Sequence, residues 1–308
     1  MSELPAARPR PGGPPPCFSV IIPSLDEPAV DKTLAALVAQ DYPADLFEAI
    51  VVGMDPYGKI TPGQKVHFDS TDRPLLPPEA RNRGARLATF EILTFLDADG
   101  LPQHDWLSQL ALAFSDASVS VVGGGVRLEG RSPWEIADNL AMFHDFLSSR
   151  PPGLRPQLAS LNMAIRRDVF EQVGGFDERY FPGDDSDLSF RLRRLGYPLH
   201  FRPQAVVAHF SDHHTIRQVL AHHLRQGRHS TKMDPRHAAD NAMPWPFRSS
   251  MMVLLGSPLL AGGVTLRLFA VDRAVWRYAA LLPVIYLAKL AWCLGAARHV
   301  YAETEEGA

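Results

Sequence analysis

Cysteine is nearly missing from this chain of 308 residues: Cys17 and Cys293 stand near its opposite ends and form no spacing motif. Such a pair supports neither a disulfide framework nor a cysteine-built zinc site, and it fits a reducing compartment. A basic excess is missing too, with 31 Lys and Arg against 34 Asp and Glu and a net charge of −3. That balance lacks the electrostatic footprint of a nucleic-acid binder. No internal repeat is found. Residues 1–16 contain no apolar signal segment; six prolines and two glycines there predict an extended lead-in that buries nothing. Long apolar runs are absent until residue 249, so whatever the C-terminal part does, it does differently from the rest.

What is present before residue 230 alternates between short apolar runs and helical spacing. Residues 17–25, CFSVIIPSL, read as a first strand, followed by a turn and a helix with Leu34, Leu37 and Val38 in step. Residues 48–55 read as a second strand, with a short third at 66–68. Residues 78–91 read as a helix opened by Pro78, with Ala80, Ala85 and Ala88 on a small packing face. Residues 92–96, 118–126, 159–165 and 206–209 read as further strands. Helices are expected from Pro102, over 132–149, over 168–173, and from the acids at 184–187 to a stop at Gly196. This alternation predicts a doubly wound α/β sheet flanked by helices.

Two acidic clusters carry the candidate chemistry. Asp97-Ala98-Asp99 follows the buried run 92–96, at a strand's carboxyl end where open α/β sheets bind ligands. Two carboxylates there suit a hard divalent cation, which takes oxygen ligands. The same residues also suit a helix cap and a solvated turn. Asp184-Asp185-Ser186-Asp187 opens a helix, where one acid complements the dipole. A cap needs one carboxylate; three leave room for a general base.

In order and spacing these pieces resemble an inverting family-2 glycosyltransferase of the GT-A fold, over about residues 17–230. SVIIPSLDE (19–27) is similar to the family's opening strand and turn, and ARNRGARLA (80–88) with FLDAD (95–99) to its arginine-bearing helix and DXD motif. NMAIRRDVFEQVGGFDE (162–178) and PGDDSDLSFRLRRLGY (182–197) are similar to its acceptor-side segment. The resemblance implies a mixed sheet and a nucleoside-diphosphate sugar donor, with uridine the commonest base. It implies Mg2+ or Mn2+ held by Asp99, with His209 as a third ligand in some relatives. Pro23, Asp26, Glu27, Asp55, Arg81 and Asp97 would line the donor side. Asp185 would take the proton of an acceptor hydroxyl, with Asp184 and Asp187 on the acceptor side. Two departures stand out: Asp184 replaces the usual Glu, and Gly53-Met54-Asp55 replaces an acidic pair. The histidines at 213, 214, 222 and 223 lack the cysteine spacing of a structural zinc site.

The remaining chain reads as a basic linker (231–248), an apolar helical hairpin (249–300) and an acidic tail (301–308). Residues 251–266 carry no charge, and 278–297 only Lys289. Trp245, Trp276, Tyr278 and Tyr301 suit an interfacial belt. The hairpin predicts membrane association, spanning or interfacial, with the catalytic domain cytoplasmic, and makes a lipid-linked acceptor one expectation. Arg267, Arg273 and Arg277 in the connecting turn leave the orientation of a crossing undefined, and a re-entrant or interfacial hairpin would avoid translocating them. Two other functions compete: a nucleotidyltransferase, and a silent nucleotide-sugar-binding scaffold. The first normally has a glycine-rich basic loop after strand one, whereas SLDEPAVDK has no glycine. The second predicts loss of an acid at 99 or 185, and both are present.

Overall fold

A computed structural model describes residues 14–25, 27–229 and 249–306. Asp26, the lead-in up to residue 13 and the linker with Trp245 lie outside the described residues. The first half runs β1 (Phe18–Ser24), α1 (Val30–Val38), β2 (Phe47–Gly53), β3 (Val66–Ser70), α2 (Pro77–Leu87) and β4 (Ile92–Leu96). The second runs β5 (Leu101–Pro102), α3 (Trp106–Phe114), β6 (Val121–Glu129), α4 (Pro133–Phe143), β7 (Gly153–Leu154) and β8 (Asn162–Arg166). It continues through α5 (Arg167–Val173), α6 (Asp184–Arg194), β9 (Leu199–Phe210) and α7 (Ile216–Arg228). Two long helices follow, α8 (Ser250–Val271) and α9 (Leu282–Glu306), so the last helix takes up much of the expected acidic tail.

One mixed sheet joins the strands in the order β3-β2-β1-β4-β8-β6-β9-β5, with β7 also on β9. β1 pairs in parallel with β2 and β4, so their carboxyl ends share one edge. β8 runs antiparallel to both β4 and β6 and makes the sheet mixed. The strand period of two splits the apolar residues between two cores. Phe18, Val20 and Ile22 face α1 and α3, while Ile21, Leu93 and Phe95 face α2 and α5. β4 is buried along its whole length, as its apolar run requires. At the shared edge Gly53 has φ 137°, and a Cβ there would stand 1.9 Å from the Ser24 carbonyl oxygen. Only glycine lets the ends of β1 and β2 lie so close.

Several boundaries differ from the sequence reading. Pro102 does not open a helix: Leu101 and Pro102 pair with Ala208 and Val207 of β9, and α3 begins at Trp106. An edge position tolerates a residue with no N–H to donate. The helix expected over 132–149 ends at Phe143, and β8 begins at Asn162 rather than 159. The helix expected to reach residue 91 stops at Leu87, where Glu48 captures the N–H and hydroxyl of Thr89.

The apolar hairpin is docked on the flank of the sheet domain. Ile285 and Ala288 of α9 pack with Ala137, Leu140 and Ala141 of α4 and Val219 of α7. α7 and α9 approach at two glycines: a Cβ on Gly227 would stand 1.9 Å from the Trp292 oxygen, and one on Gly295 2.1 Å from that of Leu224. α8 packs along α9 and leaves Met251, Leu255, Leu259 and Leu266 exposed. Two segments, Ser250–Val271 and Arg273–Arg298, are long and apolar enough to cross a membrane, with mean hydropathies of 1.6 and 1.7.

Candidate active site

The strand run and the helix start converge on one arginine. Arg81, on the second turn of α2, is 3% exposed and bonds to both acidic clusters. Its Nη2 donates to Asp97 Oδ1 at 2.7 Å, and its Nη1 donates to Asp184 Oδ2 at 2.7 Å. These partners lie 16 and 103 residues away in sequence. A buried guanidinium held by two carboxylates stays charged, and its fork geometry fixes both. Asp97 and Asp184 therefore become neighbours, although one ends a strand and the other opens a helix.

Asp99 faces β9. Its Oδ2 lies 3.6 Å from His209 Nε2. The histidine's tautomer follows from its other nitrogen, which lies 2.9 Å from Asn139 Oδ1. The Asn139 amide nitrogen donates to the carbonyls of Glu129 and His209, each at 3.1 Å, so its oxygen must be the acceptor. Nδ1 then carries a hydrogen, and in the neutral imidazole Nε2 faces the Asp99 carboxylate as an acceptor. Two acceptors facing each other at this range call for a proton or a cation between them. Burial pushes Asp99 up to about 6, against the pull of His209 and aided by Asp97 and Glu27. The donor set, one carboxylate and one oriented imidazole beside a second carboxylate, fits Mn2+ or Mg2+. Asn139 escaped the sequence reading because it lies 70 residues from His209. Its helix α4 begins at a legible signal, Ser132 capping the Glu135 N–H ahead of Pro133.

On the other side of Arg81, Gly183 at φ 115° turns the chain into α6. Asp184 is 4% exposed; burial pushes it up to about 7, against the pull of Arg81, and the neighbouring Asp185 adds to the rise. Asp185 is half-buried, and its Oδ1 accepts the Ser186 N–H at 2.7 Å. Both line a cavity of about 720 Å³ with Arg81 and Asp97. Its far wall belongs to the hairpin, with Leu260 and Val264 of α8 and Lys289 and Trp292 of α9. Arg150 also lines it, 7% exposed, with its Nη1 buried and no hydrogen-bond partner among the described residues.

Four candidates sit outside this convergence. Asp55 follows β2 at the shared edge, but its carboxylate accepts the N–H groups of Lys59 and Ile60 at 2.9 and 2.8 Å and closes its own loop. Asp187 is 2% exposed and bonds Arg191, which in turn donates to the carbonyls of Val173 and Gly175. That places it in the packing of α6 on the preceding glycine turn. Glu27 accepts the Ala29 N–H at 2.9 Å ahead of α1, while its charge still reaches Asp99. Pro23 lies in β1 beside Val52 of β2, near the same edge.

A family model described as "Glycosyl transferase family 2" matches residues 19–174, just over half of the chain. The chain belongs to the family-2 glycosyltransferases. Its mixed sheet with flanking helices is the GT-A fold. The pre-mycofactocin glycosyltransferase of Mycobacterium tuberculosis is 31% identical over 192 residues, covering 60% of this chain and 39% of that protein. Glycosyltransferase AglE of Haloferax volcanii is 29% identical over 204 residues, covering 63% and 67%. The chain thus spans about two fifths of the mycobacterial relative's length. The mannosyltransferase PcManGT from Pyrobaculum calidifontis, solved in complex with GDP-Man and Mn2+, superposes with a TM-score of 0.56 at 21% identity. That match covers 96% of this chain and 76% of PcManGT.

Proposed function

We propose that this family-2 glycosyltransferase moves a sugar from a nucleoside-diphosphate donor to a hydroxyl of a lipid-linked acceptor, with inversion, at a membrane surface. The observation that carries the reading is the Arg81 bridge, which brings Asp97, two residues before Asp99, and the Asp184–Asp185 turn to the wall of one cavity. Asp99 and His209 would hold a divalent cation, for which their facing lone pairs fit. When bound, such an ion offsets the charge that gathers on the departing diphosphate. PcManGT, with its nucleotide-sugar and Mn2+, is similar in fold and supports the same donor class here.

The chain's own residues supply the rest. Asp185, half-buried at the start of α6, takes the proton of the attacking hydroxyl, while the Asp184 carboxyl stays bonded to Arg81. Attack from the Asp185 side, opposite the diphosphate, inverts the anomeric carbon in one displacement. The cavity's apolar wall on α8 and α9 suits a lipid chain, and Arg150 and Lys289 suit its phosphate. Because α9 is packed against α4 and α7, the hairpin serves best as an interfacial platform, with the exposed leucines of α8 toward the lipid.

A screen of nucleotide-sugars with purified protein in detergent, with and without Mn2+, tests this reading. Release of nucleoside diphosphate from at least one donor, dependent on the ion, is the expected outcome. No turnover of any donor, with nucleotide still bound, would favour the silent scaffold.

A further inference from the structure

A second cluster of titratable side chains lies between α4 and α7, and the proposed transfer makes no use of it. Its centre is Asp138, which is 3% exposed and adjoins the Asn139 that orients His209. Its Oδ1 lies 2.9 Å from His222 Nδ1 and 3.2 Å from His223 Nε2. Its Oδ2 lies 3.1 Å from His213 Nδ1 and accepts the Ser211 hydroxyl at 2.7 Å. One buried carboxylate with a serine and one imidazole is already well satisfied. Three imidazoles gathered on it need another reason.

His223 sharpens the point. It is 1% exposed, yet neither ring nitrogen has a hydrogen-bond partner among the described residues. Its Nε2 stands close to Asp138 without the geometry of a hydrogen bond. In a tetrahedral site with metal–nitrogen bonds of about 2.0 Å, neighbouring donor atoms stand about 3.3 Å apart. The nitrogen-to-oxygen separations around Asp138 are 2.9, 3.1 and 3.2 Å. The chosen atoms of Asp138, His213 and His222 all lie within 4.8 Å of one another.

We propose that Asp138, His213, His222 and His223 form a second metal site, for a borderline cation of the zinc class, separate from the donor-side carboxylates. Imidazole-rich sets with one carboxylate suit Zn2+ better than Mg2+. The His213 and His222 rings are stacked at 4.3 Å with 10° between their planes, so one must turn for both nitrogens to reach one ion. His213 can turn, because it lies between β9 and α7 with a quarter of its side chain exposed. The Gln226 amide, 3.2 Å from His222 Nε2, supplies an outer partner once its oxygen faces the ring.

The site has a mechanical consequence. Its ligands come from α4, from the segment after β9, and from α7, on which α9 is packed. An ion there ties the hairpin's support to the helix that carries Asn139. Sequence spacing hides it, since Asp138 is 75 residues from His213.

The test uses the full chain in detergent, stripped with a chelator and then given Zn2+ or Co2+ alone. After gel filtration, the expected result is one Zn2+ retained per chain. Co2+ should show the visible bands of a tetrahedral nitrogen–oxygen site. Both signals should survive Asp99→Ala and disappear in His213→Ala, whose partly exposed position spares the fold. Circular dichroism checks that the variant is folded, and His222→Gln provides a second variant. Wild-type protein that retains no Zn2+ and gives no Co2+ bands would overturn the proposal. So would unchanged metal content and spectrum in both histidine variants.

Discussion

The two halves of the candidate site are built on opposite kinds of chain end. Asp97 and Asp99 leave the carboxyl end of a fully buried strand, where direction is fixed by the sheet and the second carboxylate meets an oriented imidazole. Asp184 and Asp185 open a helix, where backbone N–H groups favour negative charge and one side chain can be spared to move a proton. The first arrangement suits holding a cation still, the second exchanging a proton with a substrate. Arg81 is the only described side chain bonded to both. The comparison suggests a division of labour: donor binding should depend on one half and transfer on the other.

The largest effect that would break this division is on transfer itself. Asp185→Asn should lower the transfer rate by about 10²–10⁴-fold, the usual range for a general base, in a steady-state assay. Arg81→Met should next affect both halves together. It leaves two carboxylates facing a buried site without their cation, and chemical denaturation should report a loss of about 3–5 kcal/mol. Asn139→Leu should act on the donor half alone by releasing the His209 ring. Titration with Mn2+ should show affinity falling by about 10–100-fold.

A smaller effect separates the halves by pH. Asp184 is raised in the folded protein to about 7, so the folded state holds its proton where the unfolded chain has lost it. The resulting stability is fully present below the unfolded carboxylate range and is lost as pH rises through about 7. Melting temperatures of metal-free protein should therefore decline between about pH 4 and 7, less steeply in Asp184→Asn. The smallest expected effect is on the hairpin: Leu255→Lys with Leu259→Lys should weaken vesicle binding in a flotation assay while leaving soluble-donor hydrolysis intact.

How much of this was legible depended on how local each signal was. The run 92–96 is short, apolar and abruptly ended, so β4 appeared with the expected bounds and both acids followed it. The start of α6 was equally local. Pro102 misled because proline opens helices and also sits on sheet edges, and only the distant β9 decides between them. Arg81 was legible as a motif residue beside the donor, but its bond to Asp184 crosses 103 residues and no spacing rule reaches that far. Asp187 looked like a third acid of the site, whereas the fold uses it to hold Arg191. The hairpin's two apolar helices were plain in composition. That α9 packs closely on α7 follows from Gly227 and Gly295, whose spacing matters only once the two helices meet.

Calorimetry of a nucleoside diphosphate with Mn2+, run on Asp99→Asn and Asp185→Asn side by side, tests the division most directly. The account predicts that Asp185→Asn binds as the wild type does and that Asp99→Asn loses Mn2+-dependent binding. Lost binding in Asp185→Asn, or full binding in Asp99→Asn, would contradict it.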